Sequence, residues 1–359
     1  MRNLPVALLV AALPASTLSV WTGTRWEEWW RSSEAPAVWT EPVPALAERF
    51  HWRRVARGVE WGEVRLSVAG EAFRIRLVVA RIDPRLVRFR LDTAFRGEGT
   101  RAAWTIARSP REAVVALNAG QFPSSLPWGW TVLGGREFLP PRSGPLSVAV
   151  AFDTSGSVRW LTPEALLDPG RARGVIAAFQ SYPRILEAGS VPLPLRADGG
   201  GIDVAHRDAR LALGQMADGK LLIALTRFDG AGGVLDFVPF GLTVPEMAAI
   251  MGGLGARNAV LLDGGISSQL LIRDAGTVHR WRGLRSVPMG LVVTPRATGR
   301  HFNLSANAGI GSAQTAGASA ERHHSSQRLP VHTESVEAGN AAARRAIGSS
   351  LTDRALPGP

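Results

Sequence analysis

The sequence predicts an α+β fold: a mixed, largely antiparallel sheet with a few packed helices, in a single main domain. Two runs, Phe73-Ile75-Leu77 and Val87-Phe89-Leu91, alternate apolar residues with arginines and read as strands with one wet face. A third run, Ala113-Val114-Val115-Ala116-Leu117, has no wet face and reads as a buried central strand. Only the segment from Thr243 to Leu254 carries a complete helix signature.

Composition sets the outer limits. A chain of 359 residues with 45% hydrophobic and 20% charged residues is long and apolar enough for a sizeable core. Its net charge is +11, and because Lys220 is the only lysine, that charge is almost entirely arginine. The arginines are scattered and no nucleic-acid module signature accompanies them, so nucleic acid is not expected as a partner. The excess charge hints at an anionic substrate or a membrane surface. The absence of cysteine excludes disulfides, thiolate catalysis, cysteine-based zinc sites and a lipoprotein-type anchor.

Along the chain, Met1-Arg2 precedes an apolar run from Leu4 to Leu13, the pattern of an export signal. Continued to Trp21, the run nears the lower limit of a membrane span. Residues 1–21 are therefore expected to be a signal peptide or membrane anchor, with a buried N-terminal helix as the alternative, and the protein to be periplasmic, secreted or membrane-anchored. Residues 22–58 are rich in tryptophan and proline. Seven of the twelve tryptophans (Trp21, Trp26, Trp29, Trp30, Trp39, Trp52, Trp61) fall before the strand pattern is established. Tryptophan favours membrane interfaces, so a juxtamembrane segment is one expectation and packing onto the domain is the equal alternative. The domain proper is expected over 59–295, with a turn at Asp83-Pro84 and further strands over Ser147 to Phe152 and Leu221 to Leu225. Residues 296–359, rich in Ala, Ser, Gly, His and Arg, read as a disordered tail with room for a short helix over 334–347.

The best-defined unit lies near the end of the domain. Thr243-Val244-Pro245-Glu246 is a capping box, and Met247, Ile250, Met251 and Leu254 then fall at helical spacing before Gly255 stops the helix. Ala259-Val260-Leu261-Leu262 follows as a short buried strand, and Asp263 stands where it runs out, a position from which a loop side chain can reach a ligand while the strand holds its backbone.

Three constellations could carry chemistry. Asp263-Gly264-Gly265-Ile266-Ser267-Ser268 joins a carboxylate, a glycine turn and two hydroxyls, suited to sugar recognition or proton transfer near an anion. A turn whose aspartate caps its own backbone accounts for the local pattern equally well. Asn118-Ala119-Gly120-Gln121-Phe122 ends the buried strand with an amide that could bind a sugar or phosphate oxygen, or simply form a turn. Arg210, opening Arg210-Leu211-Ala212-Leu213-Gly214, and Arg227 offer planar forks for phosphate, against the alternative of solvated surface arginines. Gly265-Ile266-Ser267-Ser268-Gln269 lacks the last glycine of a nucleophile elbow, and Gly253-Leu254-Gly255-Ala256-Arg257-Asn258 ends a helix where a dinucleotide fingerprint would open one. No zinc-type spacing is present, so no metal or cofactor is expected in the site. The loop aspartates leave a structural calcium open.

Taken together, these motifs resemble the phosphodiester glycosidases related to the mammalian uncovering enzyme, which removes N-acetylglucosamine from a phosphodiester to mannose. The resemblance runs roughly from Val59 to Thr294 and is most specific from Gly241-Leu242-Thr243 to Asp263-Gly264-Gly265-Ile266-Ser267-Ser268. The family's asparagine motif usually reads Asn-Gly-Gly-aromatic-Phe, so Ala119 and Gln121 depart from it, as does Ile266 where a third glycine is usual. The resemblance implies Asp263, Asn118 and Arg210 as catalytic residues and Gly120, Arg227, Gly264, Gly265, Ser267 and Ser268 as substrate-binding residues. In the implied reaction water replaces phosphate at the anomeric carbon of a glycosyl phosphate, Asp263 activating the water or stabilising the cationic centre while the arginines hold the phosphate charge. The rivals are a silent envelope protein that binds polysaccharide with the same pocket, and an enzyme of exopolysaccharide processing. Oligomeric state is not indicated.

Overall fold

In the computed structural model, residues 16–69, 72–94, 104–123, 125–197, 199–230 and 233–296 are described, all within a compact unit spanning residues 1–299. Of the expected signal peptide or anchor over 1–21, residues 1–15 lie outside the described residues, as does all of the expected tail beyond Arg296, while Thr17–Trp21 forms a strand.

The continuous apolar runs become strands that are buried on both faces. A nine-stranded sheet contains β1 (Thr17–Trp21), β2 (Trp26–Arg31), β3 (Arg53–Ala56), β4 (Val59–Val68), β5 (Phe73–Ile82), β13 (Arg184–Leu186), β14 (Leu211–Met216), β15 (Leu221–Phe228) and β16 (Ala256–Leu261). Its order is β13-β16-β14-β15-β5-β4-β1-β2, with β3 also on β4. Along β15, Leu221, Ile223 and Leu225 enter one core while Leu222 and Ala224 enter a second on the opposite face. A strand with two dry faces shows no alternation, which is why Leu221 to Leu225 is apolar throughout.

The first core is shared with two five-stranded sheets. One, ordered β18-β17-β7-β19-β6, is made of β6 (Val87–Thr93), β7 (Val115–Asn118), β17 (Leu270–Asp274), β18 (Thr277–Trp281) and β19 (Met289–Pro295). The other, ordered β11-β10-β12-β8-β9, is made of β8 (Thr131–Leu133), β9 (Arg136–Leu139), β10 (Val148–Asp153), β11 (Val158–Leu161) and β12 (Val175–Ser181). Every pairing among the described strands is antiparallel. Among the described residues the α-helices are the single turns α1 (Pro44–Ala47) and α2 (Leu193–Arg196) and the ten-residue α3 (Val244–Gly253). The largely antiparallel sheet with few helices is as expected, whereas the α+β class is corrected: the fold is sheet-dominant, and every described pairing is antiparallel.

The capping box closes α3 as expected, with Thr243 Oγ1 accepting from the Glu246 amide and the Glu246 carboxylate accepting from the Thr243 amide. The helix is buried nearly all round, however, and not on one face alone. Its small residues Gly252 and Gly253 let Trp39 and Trp29 lie against the helix backbone. This explains the tryptophan-rich segment: Trp30 and Trp39 are buried in the second core, and β1 hydrogen-bonds to β4, so the segment packs onto the domain and the sheet begins at Thr17, well before Val59. No helix among the described residues is long and apolar enough to cross a membrane.

Candidate active site

The chain passes from the nine-stranded sheet to the β7-containing sheet between β5 and β6 and again over residues 262–269, a crossover which leaves β16 and enters β17. Asp263 sits at the start of that crossover. Its amide donates to the Gly120 carbonyl at 2.9 Å, and its own carbonyl accepts from Asn118 Nδ2 at 2.8 Å. Asn118 Oδ1 accepts from the Gln269 amide at 3.0 Å. One fully buried amide at the end of β7 therefore pins both ends of the turn.

The two glycines are required by what lies beneath them. Gly265 has φ +55°, its amide donates to the Ala209 carbonyl at 2.8 Å, and a Cβ there would stand 2.6 Å from an Asp208 carboxylate oxygen. A Cβ on Gly264 would stand 2.6 Å from the Ala209 carbonyl. The turn thus lies directly on the Asp208–Arg210 backbone. Asp208 is itself sewn to Leu242, each amide donating to the other's carbonyl. The remaining turn positions are also fixed: Ser268 Oγ donates to the Gly265 carbonyl at 2.9 Å, and Arg227 Nη2 donates to the Ser268 and Arg282 carbonyls at 2.6 and 3.1 Å.

At the surface of this framework Asp263 Oδ2 accepts from Arg285 Nη2 at 2.9 Å, and Arg285 Nε donates to Ser267 Oγ at 2.6 Å. The Asp263 side chain is 18% exposed and that of Arg285 46%. Burial pushes the Asp263 carboxyl above the usual aspartate range, and Ser267 and Arg285 pull it only part of the way back. Asp208 is also raised, first by burial and further by the nearby Asp263, against the pull of Arg210, the Ala209 amide and His206. Burial depresses Arg227 to about 10, and depresses Arg210 as well. Ile266 and Leu284, both exposed, form an apolar rim, joined by the Leu284 amide donating to the Ile266 carbonyl at 2.7 Å.

All nine expected site residues are therefore brought to one place, but they do different work. Of the charged residues among them, Arg227 is buried, and Asp263 and Arg210 are partly exposed. Asn118 and Arg227 spend the polar atoms described above on main chain, and Arg210 sends Nε to the Leu242 carbonyl at 2.8 Å and Nη2 to the His206 carbonyl. Gly120 contributes its carbonyl at φ +84°. Two charged neighbours carry no signal in the sequence reading. Asp208 could have been noticed as an acid two residues before the Arg210 strand, whereas Arg285 is one arginine among many in a loop. Among the described residues no three of His, Cys, Asp or Glu come together to hold a metal ion.

The family described as phosphodiester glycosidase matches residues 111–294, just over half of the chain. No curated protein matches. A hypothetical protein from Synechocystis superposes with a TM-score of 0.51 at 17% identity, covering 79% of this chain and 69% of its own. The catalytic domain of zebrafish N-acetylglucosamine-1-phosphodiester alpha-N-acetylglucosaminidase, auto-inhibited by its pro-peptide, superposes with a TM-score of 0.50 at 15% identity, covering 66% of this chain and 83% of its own.

Proposed function

The chain belongs to the phosphodiester glycosidase family, and from that premise we propose that it hydrolyses a sugar-1-phosphodiester at the anomeric carbon, releasing free sugar and a phosphomonoester. The observation that carries this reading is the Asp263–Arg285 pair at the mouth of a turn whose backbone is otherwise immobilised. A phosphate leaving group needs its charge held more than it needs a proton. Arg285, half in solvent, presents a planar fork for it, a part the sequence had suggested for Arg210 and Arg227. Asp263 activates the attacking water. Asn118, Arg227, Gly120, Gly264, Gly265 and Ser268 act through the turn as positioning residues, and Ser267 orients both Asp263 and Arg285. Ile266 and Leu284 offer an apolar face to the C–H side of a sugar ring or an acyl substituent.

Export fits the same reading. The charged start and apolar run of residues 1–13 support placement outside the cytoplasm, where glycosyl phosphodiesters of envelope glycans are met. The purified chain incubated with an N-acetylglucosamine-1-phosphodiester is expected to release reducing sugar in step with phosphomonoester. Tight binding without release would replace the hydrolase by a glycan-binding protein.

A further inference from the structure

We infer that Asp208 is the general acid of this site, paired with Asp263 as base, and that the enzyme therefore also hydrolyses glycosides whose leaving group is an ordinary alcohol. The inference rests on the hydrolase reading above and extends its substrate class. Its starting point is geometric. The Asp208 carboxyl lies against Gly265, two residues beyond Asp263, where a Cβ would come within 2.6 and 2.9 Å of its two oxygens. Its backbone is locked to Leu242 on one side and, through the Ala209 carbonyl, to the Gly265 amide on the other.

Burial raises both carboxyls and each has an arginine near it, but the two arginines engage them differently. Asp263 is ion-paired with Arg285 and bonded by Ser267, which favours its charged form. Asp208 accepts the Ala209 amide at 2.9 Å, while the Arg210 guanidinium beside it is turned to the Leu242 and His206 carbonyls. Arg210, His206 and Asp263 are the charged or titratable groups that act on it, and Asp263 opposes its ionisation, as burial does. Arg285 bonds Asp263 directly, whereas Arg210 spends its guanidinium on carbonyls and acts on Asp208 only through space. Asp263 therefore gives up its proton first and Asp208 keeps it, the division of labour that separates base from acid in glycosidases.

The step balances. The bond from C1 to the leaving oxygen breaks with its electron pair on that oxygen, which takes the Asp208 proton. Water forms the new bond to C1 and passes its proton to the Asp263 carboxylate. The products are free sugar and alcohol, and exchange with solvent returns the proton to Asp208. A phosphate leaving group does not need this proton, but an alcohol does.

The test compares wild type, Asp208→Asn and Asp208→Glu on three N-acetylglucosaminides of the α configuration: the phosphodiester, the phenyl glycoside and the 2,4-dinitrophenyl glycoside. Wild type is expected to cleave all three. Asp208→Asn should lose about 100-fold or more in kcat/KM on the phenyl glycoside, with a loss of roughly tenfold or less on the dinitrophenyl glycoside, as general acid catalysis requires. The alkaline limb of the phenyl glycoside pH profile should vanish in Asp208→Asn and survive in Asp208→Glu, a pattern that loss of fold cannot imitate. Equal losses on all three substrates would overturn the inference in favour of a structural role. Wild-type cleavage of the phosphodiester without the phenyl glycoside would overturn it while leaving the hydrolase reading intact, and cleavage of none would overturn both.

Discussion

Two concave regions of this molecule differ in a way that separates room from chemistry. The cleft lined by Trp21, His51, Glu63 and Arg76 encloses about 560 Å³, well within the range of small-molecule sites. Its arginines are paired locally: Arg65 and Arg76 face Asp229, and Arg49 pairs with Glu27. The Asp263 turn is instead fixed from three segments at once, by Asn118 and Gly120, by Ala209 and by Arg227, and together with Asp208 beneath it brings two carboxyls with raised pKa values to one place. A reacting centre is marked by immobilised donors and perturbed titrating groups rather than by volume.

The sharpest way to break that contrast is to remove the carboxylate. Asp263→Asn should lower kcat/KM on a glycosyl phosphodiester by about 10³-fold, within the span usual for a lost acid–base group. Full activity in a folded variant would move the chemistry elsewhere. Next in size is Asn118→Ala, which leaves a carbonyl and an amide in the core without their shared partner. It should cost about 2–3 kcal/mol of stability in a denaturant titration, and slow turnover more than it weakens binding, because the turn loosens while Arg285 stays. An unchanged unfolding midpoint would show that the turn does not depend on the clamp.

Arg285→Ala should raise KM for the phosphodiester by roughly tenfold, a charge-assisted contact's worth. It also removes a group that lowers the Asp263 pKa, so the acid limb of the kcat/KM profile, where Asp263 must ionise to act as base, should move to higher pH. A limb that stayed put or moved down would dissociate Arg285 from Asp263. Stability should follow the same sign. The folded pKa of Asp263 is raised, so its contribution is present in full below the unfolded value and is lost as pH rises through the folded one. The thermal midpoint of Asp263→Asn relative to wild type should therefore climb across that interval, and a flat difference would speak against the raised pKa. Smallest of all, His51→Ala in the roomier cleft should change stability by less than about 0.5 kcal/mol, and activity by less than about twofold. A larger loss there would mean that the cleft takes part.

Legibility in the sequence followed locality. The capping box of α3, the buried runs of β7, β15 and β16, and the placement of Asp263 just past a strand were all readable, because each depends on residues within one or two turns of chain. The three-sheet arrangement was not, since strand order depends on pairings such as β5 with β15, far apart in sequence. The tryptophan-rich segment stayed open between two readings for a related reason: Trp39 is explained by Gly252, a neighbour only in space. In the site, Asp263 and Asn118 were legible as strand-end residues. Arg210 and Arg227 were legible as arginines but not as main-chain clamps, because a guanidinium's partners cannot be read from its own segment. Asp208 and Arg285 gain meaning only when the 206–210 and 282–285 segments meet the turn.

The central claim is that water attacks the anomeric carbon and not phosphorus. Hydrolysis of an N-acetylglucosamine-1-phosphodiester in ¹⁸O-labelled water, with both products analysed by mass spectrometry, tests this directly. We expect the label in the sugar at C1, unlabelled phosphomonoester, and loss of both products in Asp263→Asn. Label in the phosphomonoester would mean cleavage of the P–O bond and would contradict the account.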